Sequence, residues 1–162
     1  MITPNYISSD SISRIINLLT IRYWGEFKRR EGSLKHGSGI MNLDSKFSTL
    51  FVEKGKHNDL IDTIFRSDNQ FDSSLKDTFE FIQIQKYSKG DYIVPHRDVY
   101  DVCKLHLVTL TKSLVDGLIV EENNTLIKIY DEPGQYVDLS KGCWHWVDPV
   151  KNAPRLTLVI GE

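Results

Sequence analysis

Phe79-Glu80-Phe81-Ile82-Gln83-Ile84-Gln85-Lys86-Tyr87, Ser88-Lys89-Gly90-Asp91 and Tyr92-Ile93-Val94-Pro95-His96-Arg97-Asp98 read in succession as a strand, a turn and a second strand. Side chains alternate between faces in extended backbone, so His96 and Asp98 project together while Arg97 points away. An imidazole and a carboxylate on one face supply two ligands of a mononuclear metal site. A third must come from elsewhere in the chain, and His145 in Gly142-Cys143-Trp144-His145-Trp146 is the best candidate.

Outward from this stretch, residues 77–162 carry turn signals every eight to twelve positions. The predicted strands are 78–87, 91–98, 103–111, 117–121, 125–130, 135–139, 143–147 and 155–160. Toward the N-terminus, Ile12, Ile15, Ile16, Leu19 and Tyr23 recur at helical spacing over 9–24, with Ser9, Asp10 and Ser11 as possible caps. Lys28-Arg29-Arg30-Glu31 reads as a solvated helix end, and the glycine-rich 32–39 as a loop, more plainly a connection than a lid. Phe47–Val52 suggests a strand. Asn58–Arg66 suggests a short helix burying Leu60, Ile61, Ile64 and Phe65, with His57 on the surface. The class expected is mainly β with N-terminal helices (1–70) and a jelly-roll, or double-stranded β-helix, core (77–162), in a single domain.

The balance of residues fits a water-exposed globular domain. Of 162 residues 40% are hydrophobic and 26% charged, mean hydropathy is −0.30, and net charge is −2. With no basic excess, a nucleic-acid partner is disfavoured. No apolar run approaches a membrane span, Met1–Asn5 is unlike a signal peptide, and Cys103 and Cys143 read as thiols, so a cytoplasmic location is expected. Thiolates at zinc spacing are absent.

Two histidines and one carboxylate on one side of a metal leave the opposite side open, which is how non-haem Fe(II) oxygenases hold their ion. His145 follows His96 across several strands, so the fold must bring the two together. Turn formers at 148–154 would let 143–147 and 155–160 pair as neighbours. In the last strand Arg155, Thr157 and Val159 share a face, and a buried guanidinium there calls for an anion. Lys104 and His106 share a face opposite Leu105 and Leu107. Trp144, Trp146 and Arg97 have plain readings as packing or salt-bridging groups.

The pattern Tyr87-x-x-Gly90-x-Tyr92-x-x-x-His96-x-Asp98, distal His145, then Arg155 resembles the Fe(II)/2-oxoglutarate-dependent oxygenases over about residues 79–162. The nearest branch is the aspartyl/asparaginyl β-hydroxylases, which share a basic-x-His-Leu strand. Here that strand is Lys104-Leu105-His106-Leu107, with lysine where arginine is usual. The tyrosine-glycine run is equally similar to prolyl 4-hydroxylases. The resemblance implies Fe(II) held by His96, Asp98 and His145, with 2-oxoglutarate and O2 as cosubstrates. Arg155 would grip the distal carboxylate of 2-oxoglutarate, assisted by His106, Lys104 and Tyr87. It further implies hydroxylation of an unactivated C–H bond of an amino acid, free or in a peptide or protein, with release of succinate and CO2. Halogenating relatives lack the carboxylate, so Asp98 argues for hydroxylation. A nucleobase or small-metabolite oxygenase and a catalytically silent jelly-roll binding protein are the alternatives. Substrate contacts are expected from 28–46 and 99–102.

Overall fold

Ser8, and not Ser9, Asp10 or Ser11 as expected, starts the first helix: its hydroxyl accepts a hydrogen bond from the Ser11 amide at 3.1 Å, and the three expected caps lie inside the first turn. Helix α1 (Ser9–Leu18) then loosens into a π turn (Leu19–Tyr23) and a 3-10 turn (Trp24–Glu26), keeping Ile12, Ile15, Leu19 and Tyr23 buried. The computed structural model describes residues 2–36, 41–98, 104–139 and 142–162, with backbone alone over 33–36 and 41–43. Tyr100, Asp101, Cys103 and the tip of the expected glycine-rich loop lie outside them.

The remaining elements are β1 (Ile2–Thr3), β2 (Lys28–His36), β3 (Met41–Phe51), α2 (Asn58–Ile64), α3 (Leu75–Thr78), β4 (Phe81–Tyr87), β5 (Tyr92–His96), β6 (Leu105–Thr109), β7 (Gly117–Glu122), β8 (Thr125–Tyr130), β9 (Tyr136–Asp138), β10 (His145–Val147) and β11 (Arg155–Gly161). All pairings are antiparallel, in the order β1-β9-β6-β11-β4-β3-β5-β10-β7-β8, with β2 on β3. Strand β3 is the corner: Ser48–Phe51 pair with β4, and Ser45–Lys46 with β5. The result is a curled, mainly β sheet with N-terminal helices, in keeping with the jelly-roll expectation.

Its two faces bury two cores. Outside the curl, α1 and α2 pack on Ile82, Ile84, Val108, Leu156, Leu158 and Ile160. Inside lie Phe47, Tyr87, Ile93, Leu118, Val147 and their neighbours. Every residue of β11 is buried, its aliphatic positions serving the helical side and its Arg155, Thr157 and Val159 the interior. Each fully buried leucine or isoleucine there contributes about 2 kcal/mol over leaving it exposed.

Three further expectations are corrected. Lys28–Glu31 and Gly32–His36 form β2, not a helix end and a loop, because a continuous register with β3 from Lys28↔Thr49 to His36↔Met41 satisfies the backbone. Within it Arg29 forks onto the buried carboxylate of Asp91, tying β2 to the turn before β5. Strands β10 and β11 are not neighbours: β10 lies between β5 and β7, β11 between β4 and β6. The intervening 148–154 segment crosses between the walls, pinned where Val150 bonds Asp91 and Gly90, and where Asp116 accepts the Lys151 and Asn152 amides. His57 is buried, accepting the Glu53 amide at Nδ1 and meeting Glu26 at Nε2, 3.2 Å away.

Candidate metal and cosubstrate site

The triad depends on one irregularity in β5. His145 pairs with His96 and Val147 with Ile93, so two steps on β10 face three on β5. The extra residue lies at Val94-Pro95, where proline has no N–H to give a ladder. Strict alternation from the inward Ile93 would send Pro95 and Arg97 inward. The bulge resets the parity, and His96 and Asp98 line the interior cavity beside Ile93. Arg97 lies instead over the Trp144 ring at 4.7 Å.

Register partnership sets the two imidazoles 4.2 Å apart between ring centroids. Nε2 of His145 is 3.1 Å from Oδ2 of Asp98, and Nε2 of His96 is 3.7 Å from Oδ1. One ligand atom from each residue falls within 4.8 Å of the others. The Nδ1 of His96 faces the Val94 carbonyl at 2.9 Å, and that of His145 the Cys143 carbonyl at 3.0 Å. A carbonyl only accepts, so each Nδ1 carries a proton and Nε2 is the nitrogen that could ligate a metal. Burial would lower the His145 pKa, but the hydrogen bond and charge of Asp98, with the side chain and carbonyl of Cys143, raise it to about 10. Two imidazoles and a carboxylate so arranged suit Fe(II).

The cavity, about 350 Å³, lies between the walls of the curl, and Arg155 occupies its β4–β11 side. Arg155 is only 2% exposed and donates through Nε and Nη2 to Asp131, at 2.8 and 3.0 Å, leaving Nη1 outside both bonds. Next to it Tyr87 donates to Gln85 at 3.1 Å, and Thr157 donates to the same oxygen at 3.4 Å. Nothing in the sequence singles out Asp131, which resembles any strand-end aspartate. Only the need of a buried guanidinium for an anion could have prompted a search. Gln85 and Thr157, given no site role from sequence, also line the cavity, as does Arg30, which falls in the 28–46 stretch expected to meet substrate.

Other expected cosubstrate contacts lie elsewhere. Leu105 and Leu107 line the cavity, while His106 turns to the opposite face, between Glu162 at 2.9 Å, the Tyr136 hydroxyl at 3.2 Å and the Phe71 ring. Lys104 is exposed just ahead of β6, bonded through its backbone to Glu162. The parity that serves the leucines carries the basic pair away.

Tyr87 offers a pH test. Burial raises its phenol to about 12, with Arg155 opposing. An unfolded tyrosine ionises near 10, so the stabilisation is complete below about pH 10 and is lost as pH rises toward 12. Denaturant titrations should show roughly 3 kcal/mol of extra alkaline loss that Tyr87→Phe removes. An unchanged slope in that variant would place the phenol in water.

No family model matches the sequence, and no curated protein matches it. Solved structures do match in shape. A Pseudomonas putida prolyl-4-hydroxylase superposes with TM-score 0.71 at 15% identity, over 99% of this chain and 90% of that one. A Burkholderia pseudomallei oxidoreductase of the 2OG-Fe(II) oxygenase family gives TM-score 0.64 at 12% identity, over 99% and 83%. The chain has the fold of the Fe(II)/2-oxoglutarate oxygenases. The carbocyclase SnoK of nogalamycin biosynthesis, alpha-ketoglutarate dependent, shares that oxygenase fold, with TM-score 0.70 at 10% identity over 99% and 78%. Oxygenase fold and His-Asp-His triad together support an Fe(II)/2-oxoglutarate-dependent enzyme. Among the described residues, no helix is long and apolar enough to cross a membrane.

Proposed function

We propose that this protein is an Fe(II)- and 2-oxoglutarate-dependent dioxygenase that hydroxylates an unactivated C–H bond of an amino acid, free or within a peptide or protein. The observation that carries the reading is the triad of His96, Asp98 and His145, turned into a cavity that also holds Arg155. Iron with 2-oxoglutarate supplies, when bound, an oxidation in which O2 yields succinate, CO2 and one oxygen atom delivered to the substrate carbon.

The chain's own residues have positional roles. His96, Asp98 and His145 would hold the metal. Arg155 would meet the distal carboxylate through Nη1 while Asp131 keeps the guanidinium from turning. Tyr87, Gln85 and Thr157 would line the cosubstrate's path, and Leu105, Leu107 and Val159 exclude water from it. Because Asp131 already satisfies Arg155, burial of that arginine does not by itself demand a second anion. The triad therefore has to support the enzyme reading.

A second reading, oxidation of a small metabolite, is favoured by the apolar lining of the cavity and by the carbocyclase among the structural neighbours. The two part on product. Anaerobic addition of Fe(II) and 2-oxoglutarate should produce a visible charge-transfer band, and air should then release succinate. Mass spectrometry across amino acids, peptides and small metabolites should find one added oxygen atom. Well-folded protein with no band and no succinate would end the oxygenase proposal.

A further inference from the structure

The cavity holds a third cation-bearing element outside both the triad and Arg155. Strand alternation sends Arg29 to Asp91 and its neighbour Arg30 to the other face, where it lines the cavity. Arg30 is half-buried. Its guanidinium lies 5.4 Å from the centre of the Phe51 ring, and no carboxylate among the described residues is within ion-pair distance of it.

The charges lining the cavity otherwise balance locally. Arg155 has Asp131, and Asp98 sits between the two triad imidazoles. Among the described residues, Arg30 alone of the cavity lining brings a formal charge without a matching one. A guanidinium over an aromatic ring still has N–H donors for a carboxylate, since the ring engages its charge and not its hydrogen bonds. Phe47, Phe51 and Phe81 make much of the cavity lining apolar.

The register separates this corner from the Arg155 corner. On β4, Tyr87 stands opposite Arg155, and Gln83, opposite Val159, stands beside Phe51. Four residues of strand, roughly 13 Å, therefore separate the rows. Arg155 is 2% exposed and Phe51 44% exposed, so the Phe51 row is the open end.

We infer that Arg30 with Phe51 and Phe81 forms a docking site for the substrate, a molecule carrying a free carboxylate on an apolar or aromatic body. This deepens the oxygenase reading and rests on it for the word substrate, but the anion site itself does not need iron. The carboxylate would pair with Arg30 and the apolar body would lie against the phenylalanines, leading inward toward the triad.

The test uses the full chain and matched probes: 3-phenylpropanoate and 3-phenylpropanamide, with 4-phenylbutanoate and its amide as a longer pair. Dissociation constants are measured by calorimetry with and without Fe(II) and 2-oxoglutarate under anaerobic conditions. The native chain should prefer at least one acid over its amide by roughly tenfold. Arg30→Gln should bring the two within about twofold, and Arg30→Lys should restore part of the preference, since an ammonium keeps the charge without the fork. All three chains should give the 2-oxoglutarate charge-transfer band at the same cosubstrate concentration. No preference in the native chain, or a preference that survives Arg30→Gln, overturns the inference. So does a band that weakens in Arg30→Gln, which would make Arg30 a cosubstrate clamp. Absence of the band in the native chain refutes the oxygenase reading instead, and the metal-free titration still decides Arg30.

Discussion

Asp98→Ala should lower Fe(II) affinity by at least about 100-fold while leaving the chain folded. Losing a partner that merely orients a ligand already costs 10- to 100-fold, and Asp98 supplies a ligand atom itself. The carboxylate is half-buried two residues past the end of β5, outside both apolar cores, so its loss opens no cavity in them. What it removes is the one carboxylate of the candidate triad and the acceptor at 3.1 Å from His145. Equilibrium dialysis against Fe(II) under argon measures the affinity, and thermal melting checks the fold. Asp98→Asn should retain shape but lose the charge, falling nearly as far. Native-like iron binding in either variant would mean that the metal, if any, sits elsewhere.

Asp131→Ala should destabilise the protein by about 3 to 5 kcal/mol, the cost of leaving one member of a buried ion pair alone. Both side chains are 2% exposed, and the fork between them is bidentate. Burial pushes the Asp131 carboxyl up, and Arg155 pulls it back. The fork gives the buried guanidinium its acceptor on Asp131, so truncation strands it. Against a typical domain stability of about 5 to 15 kcal/mol this is a large share. The double replacement Asp131→Leu with Arg155→Met should recover most of the loss, because an apolar pair of similar volume has no charge to desolvate. If Arg155 grips 2-oxoglutarate, the rescued protein will be stable yet bind that cosubstrate at least roughly tenfold more weakly. A loss under about 1 kcal/mol in Asp131→Ala would show that water reaches the pair. Full cosubstrate affinity in the double variant would release Arg155 from its proposed role.

Much of the site could be read from local pattern. The His96-x-Asp98 pair shares a face, as extended backbone requires, and the two faces of β11 separate Arg155, Thr157 and Val159 from the aliphatic positions. The Lys104/His106 pair shows where such reading fails. Alternation left the inward face open: which face of β6 looks inward was decided by the fit of Leu105 and Leu107 to the cavity, and His106 turned to the other side. The charged run at 28–31 misled for a related reason. Its surroundings, Asp91 for Arg29 and Phe51 for Arg30, lie far along the chain.

Spacing and residue type alone therefore specify the strands after residue 80, the amphipathic helix before them, though not its cap at Ser8, and the three ligand candidates, because period is a short-range property of the backbone. Long-range pairing settles the rest. It puts β10 beside β5 rather than β11, lets a bulge at Pro95 turn His96 and Asp98 inward, and joins Arg155 to Asp131. Those outcomes hinge on which distant surfaces bury each other with every polar group satisfied, a condition that exists only once the chain has closed on itself.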